Sequence, residues 1–264
     1  MFVDSHTHLY SKKFDGDREE MVQRAIDVGV EAFYLPNIDS SSIDAMLKVE
    51  EKWPNRCFAM MGLHPCSVKE NYQDELAVVE EWLNKREFCA VGEIGIDLYW
   101  DKTFLAQQKE AFLTQVQWAK DRRLPIVIHS REATDLIIEL LQGVNDDRLK
   151  GIFHCFTGSP AQAKKITDLG FYLGIGGVLT FKNAGLDKTM ETVDPDHLVL
   201  ETDSPYLAPA PHRGKRNESA YLVRVAERLA EIKNAPVENI GRITSRNSYA
   251  VFGKSGIFVP QATD

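Results

Sequence analysis

The sequence contains no run of 18 apolar residues, roughly the least that a membrane-spanning helix requires. Its start places Asp4, His6 and His8 where a secretion signal would carry a basic residue and then an apolar stretch. A membrane protein and an exported one are both set aside, and the expected location is the cytoplasm. Cysteine is scarce as well. The four present, Cys57, Cys66, Cys89 and Cys155, include no C-x-x-C pair, which excludes a disulfide framework and a zinc ribbon and suits reduced, mostly buried thiols. Positive charge is also short, with 31 basic against 39 acidic side chains and a net charge of −8. A protein that coats nucleic acid through a broadly basic surface is therefore excluded. The shortage is uneven: residues 204–264 carry a basic excess, gathered around Arg213, Lys215 and Arg216.

What the chain does have is apolar residues, 44% of 264, enough for one large folded domain over residues 1–264. They come in short continuous runs separated by helical patterns. Phe2-Val3 leads to a helix with Met21, Val22, Ala25 and Ile26 on one face, stopped at Gly29. Residues 32–35 form a second run, followed by a helix capped by Ser40-Ser41-Ser42 and extending to about Lys52. Further runs lie at 57–63, 89–93, 125–129, 151–154, 171–174 and 198–203. Between them stand helices around Leu76–Leu83, Phe104–Arg123, Leu136–Leu141 and Gln162–Leu169. Continuous apolar strands alternating with helices indicate a parallel sheet covered on both sides, and eight units without a linker indicate an α/β fold, a closed (β/α)8 TIM barrel. Two more helices, Ser219–Lys233 and Val237–Phe252, form a C-terminal helical extension expected on the outside.

In such barrels chemistry sits at the C-terminal ends of the strands. His6 and His8 follow the first run, His64 the third, Glu93 the fourth, His129 the fifth, His154 the sixth and Asp203 the eighth. Five of the seven histidines thus fall at strand ends, leaving only His197 and His212 elsewhere. In His6-Thr7-His8 an extended backbone turns both imidazoles to one side. Mixed imidazole and carboxylate donors without thiolate suit Zn²⁺ or Mn²⁺, and a more hydrated arrangement would accept Mg²⁺. Six ligands, His6, His8, Glu93, His129, His154 and Asp203, are too many for one catalytic ion with an open position. Two ions would use them all, with His6, His8 and Asp203 on one, His129 and His154 on the other, and Glu93 bridging.

The chain resembles the TatD-type metal-dependent hydrolases and deoxyribonucleases of the amidohydrolase-like barrel superfamily. The resemblance spans nearly all of it. It rests on Asp4-Ser5-His6-Thr7-His8, Gly62-Leu63-His64-Pro65, Gly92-Glu93-Ile94-Gly95-Ile96-Asp97, Ile128-His129-Ser130-Arg131, His154-Cys155-Phe156-Thr157-Gly158 and Glu201-Thr202-Asp203-Ser204-Pro205-Tyr206-Leu207. Arg213–Ser219 is similar to the family's basic loop, with Ser219 where a proline is usual. The resemblance implies a divalent-metal-dependent DNase, often acting from the 3′ end.

The residues are compatible with that chemistry. Two divalent ions against Glu93 and Asp203 leave a positive pocket that attracts phosphate, and a metal-bound hydroxide would attack phosphorus. Asp203 is placed to orient or deprotonate the water. His64 and Arg131, with Arg213, Lys215 and Arg216, are candidates for holding phosphate or protonating a leaving oxygen. Glu201 shares a strand face with Asp203, while Asp97, Tyr99 and Trp100 lie in the loop after Glu93 and are read as pocket lining or packing. Two alternatives use the same residues: an amidohydrolase or lactonase acting on a small molecule, and a non-enzymatic metal-stabilised binding protein.

Overall fold

The computed structural model describes residues 1–253. Eight parallel strands alternate with helices: β1 (Phe2–Asp4), α1 (Arg18–Asp27), β2 (Val30–Leu35), α2 (Ile43–Lys52), β3 (Cys57–Ala59), α3 (Tyr72–Lys85) and β4 (Val91–Asp97). Then follow α4 (Leu105–Arg122), β5 (Ile126–Arg131), α5 (Thr134–Val144), β6 (Gly151–Phe153), α6 (Pro160–Asp168), β7 (Tyr172–Ile175), α7 (Leu186–Thr192) and β8 (Leu198–Leu200). Helices α8 (Leu222–Lys233) and α9 (Val237–Phe252) complete the described chain.

The ladders run in two arcs, β1-β2-β3 and β4-β5-β6-β7-β8, and two seams join them into a ring. At the first, Met61 bridges to Val91, with Met61 N–H donating to Ala90 O at 3.1 Å. At the second, Ser5 N–H donates to Leu200 O at 3.0 Å and Asp203 N–H to His6 O at 2.9 Å. The Asp4 carboxylate tightens this seam by accepting from both the N–H and the hydroxyl of Thr202, at 2.9 and 2.6 Å. The barrel expected from the alternation of runs is therefore present.

Period-two alternation sorts the strand residues. Val3, Ala32, Tyr34, Phe58, Met60, Val127, Ile152 and Val199 face the barrel interior, and their neighbours in sequence pack under the helices. The helices return the complementary face: Leu222, Val225, Ala226 and Leu229 of α8 recur every three or four residues and are fully buried. At about 1.5–3 kcal/mol for each large side chain buried, this shell is the main driving force for closure.

Three expectations need correction. Helix α9 does not simply lie outside: its last turn sends Val251 and Phe252 into the interior cluster, where Phe252 stacks on Tyr34 with centroids 3.9 Å apart. Strand β3 ends at Ala59 and β8 at Leu200, so His64 and Asp203 lie on loops beyond the ladders. Helix α7 was not anticipated, its seven residues holding only Leu186 and Met190 as large apolar anchors.

Candidate metal centre

The strand carrying Glu93 continues four residues past it, so Glu93 lies within β4 rather than at its end. The register shifts there: Gly92 pairs with Val127 and Ile94 with Ile128, leaving Glu93 as a bulged residue. Its N–H donates instead to Asn37 O at 3.1 Å, beyond β2. Bulges re-aim side chains, and this one sends the carboxylate to the centre of the mouth.

There the two oxygens of Glu93 face different histidines. Oε2 lies 3.2 Å from His6 Nε2 and 4.0 Å from His8 Nε2, whereas Oε1 lies 2.9 Å from His129 Nδ1, 3.1 Å from His154 Nε2 and 3.4 Å from His64 Nε2. Asp203 completes the first group, its Oδ1 3.4 Å from His8 Nε2 and 3.8 Å from His6 Nε2. Donor atoms of His6, His8 and Asp203 converge within 4.8 Å of one another, as do those of His6, Glu93 and His154 and those of His64, Glu93 and His129. The six residues named from strand ends meet in one place, with His64 beside them.

The backbone around them is tightly held. Two buried glutamines on one face of α4 clamp loop ends: Gln115 accepts from Leu63 N–H at 2.7 Å and Gln108 from Asp97 N–H at 2.9 Å. Asn217 donates to the carbonyls of Thr202 and Tyr206, bracketing Asp203, which adopts a left-handed conformation at φ 53°. Ser219 is buried with its hydroxyl 3.4 Å from that of Thr7.

An outer layer sets the histidine protons. Tyr10 donates its only hydroxyl proton to Pro36 O at 2.5 Å, so its oxygen must accept from His8 Nδ1 at 2.8 Å. His8 therefore carries its proton on Nδ1 and offers the Nε2 lone pair to the centre. His129 Nε2 meets Asp97 Oδ2 at 2.8 Å and His154 Nδ1 meets Glu201 Oε1 at 3.2 Å, leaving the other nitrogen of each facing Glu93. Such carboxylate–histidine pairs accompany metal ligands and raise their basicity. His64 is the reverse case: its Nδ1 accepts from Cys66 N–H at 3.0 Å, so in the neutral ring Nε2–H points inward as a donor.

The donor set fits divalent ions. Both ring nitrogens of His6 are buried without a hydrogen bond, although Nε2 is 3.2 Å from Glu93, as suits a lone pair awaiting a Lewis acid rather than a proton. The side chains of the centre also hold one another by charge. Burial pushes the Glu93 carboxyl up, but the surrounding His154, His64 and His6 hold it well below the usual carboxylate range. Burial disfavours the charged His154 imidazole, yet Glu93 and Glu201 leave it well above the ordinary histidine value.

Similar proteins bear on what such a centre is for. A family model described as TatD related DNase matches residues 3–253. The chain belongs to the TatD family. An uncharacterized metal-dependent hydrolase of Bacillus subtilis, YabD, is 38% identical over 253 residues, covering 96% of this chain and 99% of its own. YcfH of Escherichia coli, also named a metal-dependent hydrolase, is 35% identical over 95% of each chain. The crystal structure of the TatD homolog YjjV from Escherichia coli superposes with a TM-score of 0.90 at 29% identity, covering 96% of this chain and 98% of that one. TatD membership, the barrel and the converging donors together make this protein a metal-dependent hydrolase.

The TatD mouth loops carry the remaining residues expected to bind substrate, and the structure separates them. Arg131 stands exposed at the end of β5, its guanidinium 3.8 Å from the Tyr99 ring centroid. Arg213 is exposed over Phe181, and Lys215 is exposed beside it. Arg216 instead forms a double hydrogen bond with Asp17, at 2.6 and 2.7 Å, tying the loop to α1. Asp97, read as pocket lining, is buried and holds His129; Tyr10 and the Glu201–His154 contact complete what the motifs left out. Asp97 and Tyr10 did leave a signal, since each stands an even number of residues beyond a ligand, at Glu93 and His8. No helix among the described residues is long and apolar enough to cross a membrane.

Proposed function

We propose that the protein is a DNase, hydrolysing phosphodiester bonds in DNA with two divalent ions, Zn²⁺, Mg²⁺ or Mn²⁺, which Glu93 would help to hold. The observation that carries this reading is the division of Glu93, Oε2 toward His6 and His8, Oε1 toward His129 and His154. His6, His8 and Asp203 would hold one ion and His129 and His154 the other. When bound, the ions supply an activated water and offset the charge that develops on phosphate oxygens.

The side chains divide the proton work. Asp203 is the ligand carboxylate beside the open mouth, 14% exposed. Burial pushes its pKa up, but the His8 hydrogen bond and the neighbouring imidazoles hold it below the ordinary value, so it is ionised at neutral pH and can accept the proton of the attacking water. His64 turns its Nε2–H toward the same centre, placed to protonate or hold the leaving oxygen. Arg131, Arg213 and Lys215 are free to meet flanking phosphates, whereas Arg216 is committed to Asp17. The free thiols suit the cytoplasm, where DNA is also available.

Metal-reconstituted protein incubated with end-labelled single- and double-stranded oligonucleotides tests this directly. Metal-dependent shortening of the oligonucleotides is the expected result, and the end from which label is lost reports the direction. Hydrolysis of lactones or amides with oligonucleotides left intact would overturn it in favour of a small-molecule hydrolase, and binding without any turnover would favour a non-catalytic role.

A further inference from the structure

Six large apolar side chains stand exposed among the described residues, and four of them ring the mouth: Tyr99 and Trp100 after β4, Tyr206 and Leu207 after β8. The other two, Met1 and Val28, precede strands at the opposite end. Trp100 is 69% exposed, leaving most of a large apolar ring in water. In a ring of eight strands the β4/β5 edge lies across from the β8/β1 edge, so the two aromatic groups sit on opposite flanks of Glu93.

Each group is paired with a cation and fastened to the centre. On one flank the Arg131 guanidinium lies 3.8 Å from the Tyr99 ring centroid and 5.3 Å from that of Trp100. The backbone N–H groups of Tyr99 and Trp100 donate to Asp97 Oδ1, at 2.9 and 3.2 Å, while Oδ2 of the same carboxylate holds His129. On the other flank Lys13 Nζ lies 4.8 Å from the Tyr206 ring centroid. Tyr206 N–H donates to Asp203 O at 2.8 Å, and its ring lies 5.9 Å from that of His8. An exposed aromatic group with a cation over a ring face, repeated on both sides of a phosphate-attracting centre, matches two consecutive nucleotides: a base stacked on each group and a phosphate for each cation. Bases paired inside a duplex have both faces covered and cannot use it.

Resting on the phosphodiesterase reading above, we propose that Tyr99–Trp100 with Arg131 and Tyr206 with Lys13 are two nucleobase-stacking subsites, each taking one unpaired base flanking the phosphate held over Glu93. The subsites fix which phosphate is cut and require the strand to be unpaired on both sides of it.

The test is a cycle of two perturbations on the metal-loaded full chain. A short thymidylate oligomer is compared with an oligomer of equal length built from abasic tetrahydrofuran residues, using wild type, Trp100→Ala and Tyr206→Ala. Loss of one stack is expected to raise KM for thymidylate about 5- to 150-fold, and combining either substitution with the abasic strand should cost less than the product of the two effects. Trp100→Phe, which keeps a ring, should recover most of the loss. Independently of turnover, thymidylate should quench tryptophan fluorescence in the metal-free protein, and neither the abasic strand nor the Trp100→Phe variant should show it. Cleavage by wild type with fully multiplicative effects, or with Trp100→Ala unchanged, overturns the subsites and leaves the DNase reading standing. Wild type that neither binds nor cuts thymidylate overturns both.

Discussion

Replacing Tyr10 by phenylalanine removes one buried oxygen from behind His8, and it should weaken metal binding. The hydroxyl stands between two fixed groups: it donates to Pro36 O and accepts from His8 Nδ1–H. Without it, a buried carbonyl and a buried ring N–H lose their partner, at about 1–3 kcal/mol for an unsatisfied buried group. His8 has an escape, because moving its proton to Nε2 lets that nitrogen donate toward Asp203 Oδ1, 3.4 Å away. That tautomer has no lone pair facing the centre, and an ion must displace the proton before it can bind. Loss of a hydrogen-bond partner behind a metal ligand typically costs about 10- to 100-fold in affinity, and the affected ion should be the one held by His6, His8 and Asp203. Chelator-competition titrations with Mn²⁺ or Zn²⁺ measure it, and ¹⁵N NMR of the metal-free protein reads the His8 tautomer. Phenylalanine fits the same space, so thermal unfolding should shift only modestly. Wild-type affinity at both ions, or a wild-type protein with the proton on Nε2, would refute the reasoning.

The other perturbations act closer to the centre or far from it. Glu93→Ala should lose at least one of two ions by elemental analysis, since both groups of histidines lean on this carboxylate; a stoichiometry of one under saturating metal, unchanged in the variant, would remove the bridge. Asp203→Asn should lower single-turnover cleavage by about 10²–10⁴-fold while binding of DNA changes far less, because asparagine keeps the size but cannot take the water's proton. Arg216→Ala should alter stability rather than DNA contact. Hydrogen bonds from Arg216, with Arg24 assisting against a burial effect, lower the Asp17 pKa from 3.8 to about 2. Its folded value is depressed, so its contribution is present above pH 3.8 and lost as pH falls through 2. Allowing for solvent screening at this partly exposed pair, that contribution is about 1 kcal/mol. Urea unfolding should therefore show the gap between wild type and Arg216→Ala closing across that window; a gap constant with pH would deny the pair its role.

The convergence of the six side chains His6, His8, Glu93, His129, His154 and Asp203 was legible because each follows an apolar run that reads as a buried strand, and a barrel gathers the ends of such runs. What could not be read depends on register and on partners distant in sequence. Glu93 looks terminal in sequence because the bulge that turns it inward depends on Gly92 pairing with Val127, Ile94 with Ile128, and Glu93 N–H donating to Asn37 O, not on the residues Gly92-Glu93-Ile94 themselves. Arg216 looked like part of a free basic loop because nothing nearby in sequence reveals that Asp17 reaches it across 199 positions. β8 stops at Leu200, level with the end of its partner β7 at Ile175, and Asp203 follows in a left-handed conformation, neither of which an apolar run can announce. In sequence the aromatic residues Tyr99 and Trp100 fit lining or packing equally well, and only their exposure and the anchoring of their amides on Asp97 set them apart.

The seam between β8 and β1 has a temporal meaning. His6 and His8 precede Asp203 by nearly the whole barrel, yet Asp203 N–H donates to His6 O and Thr202 to Asp4 within the same few bonds that close the ring. A chain still being synthesised can present the two early histidines but cannot assemble the group that includes Asp203 until the last strand docks. Loading of the ion proposed for that group would therefore mark completion of the barrel, and a fragment ending before β8 would carry most of the donors while remaining chemically silent.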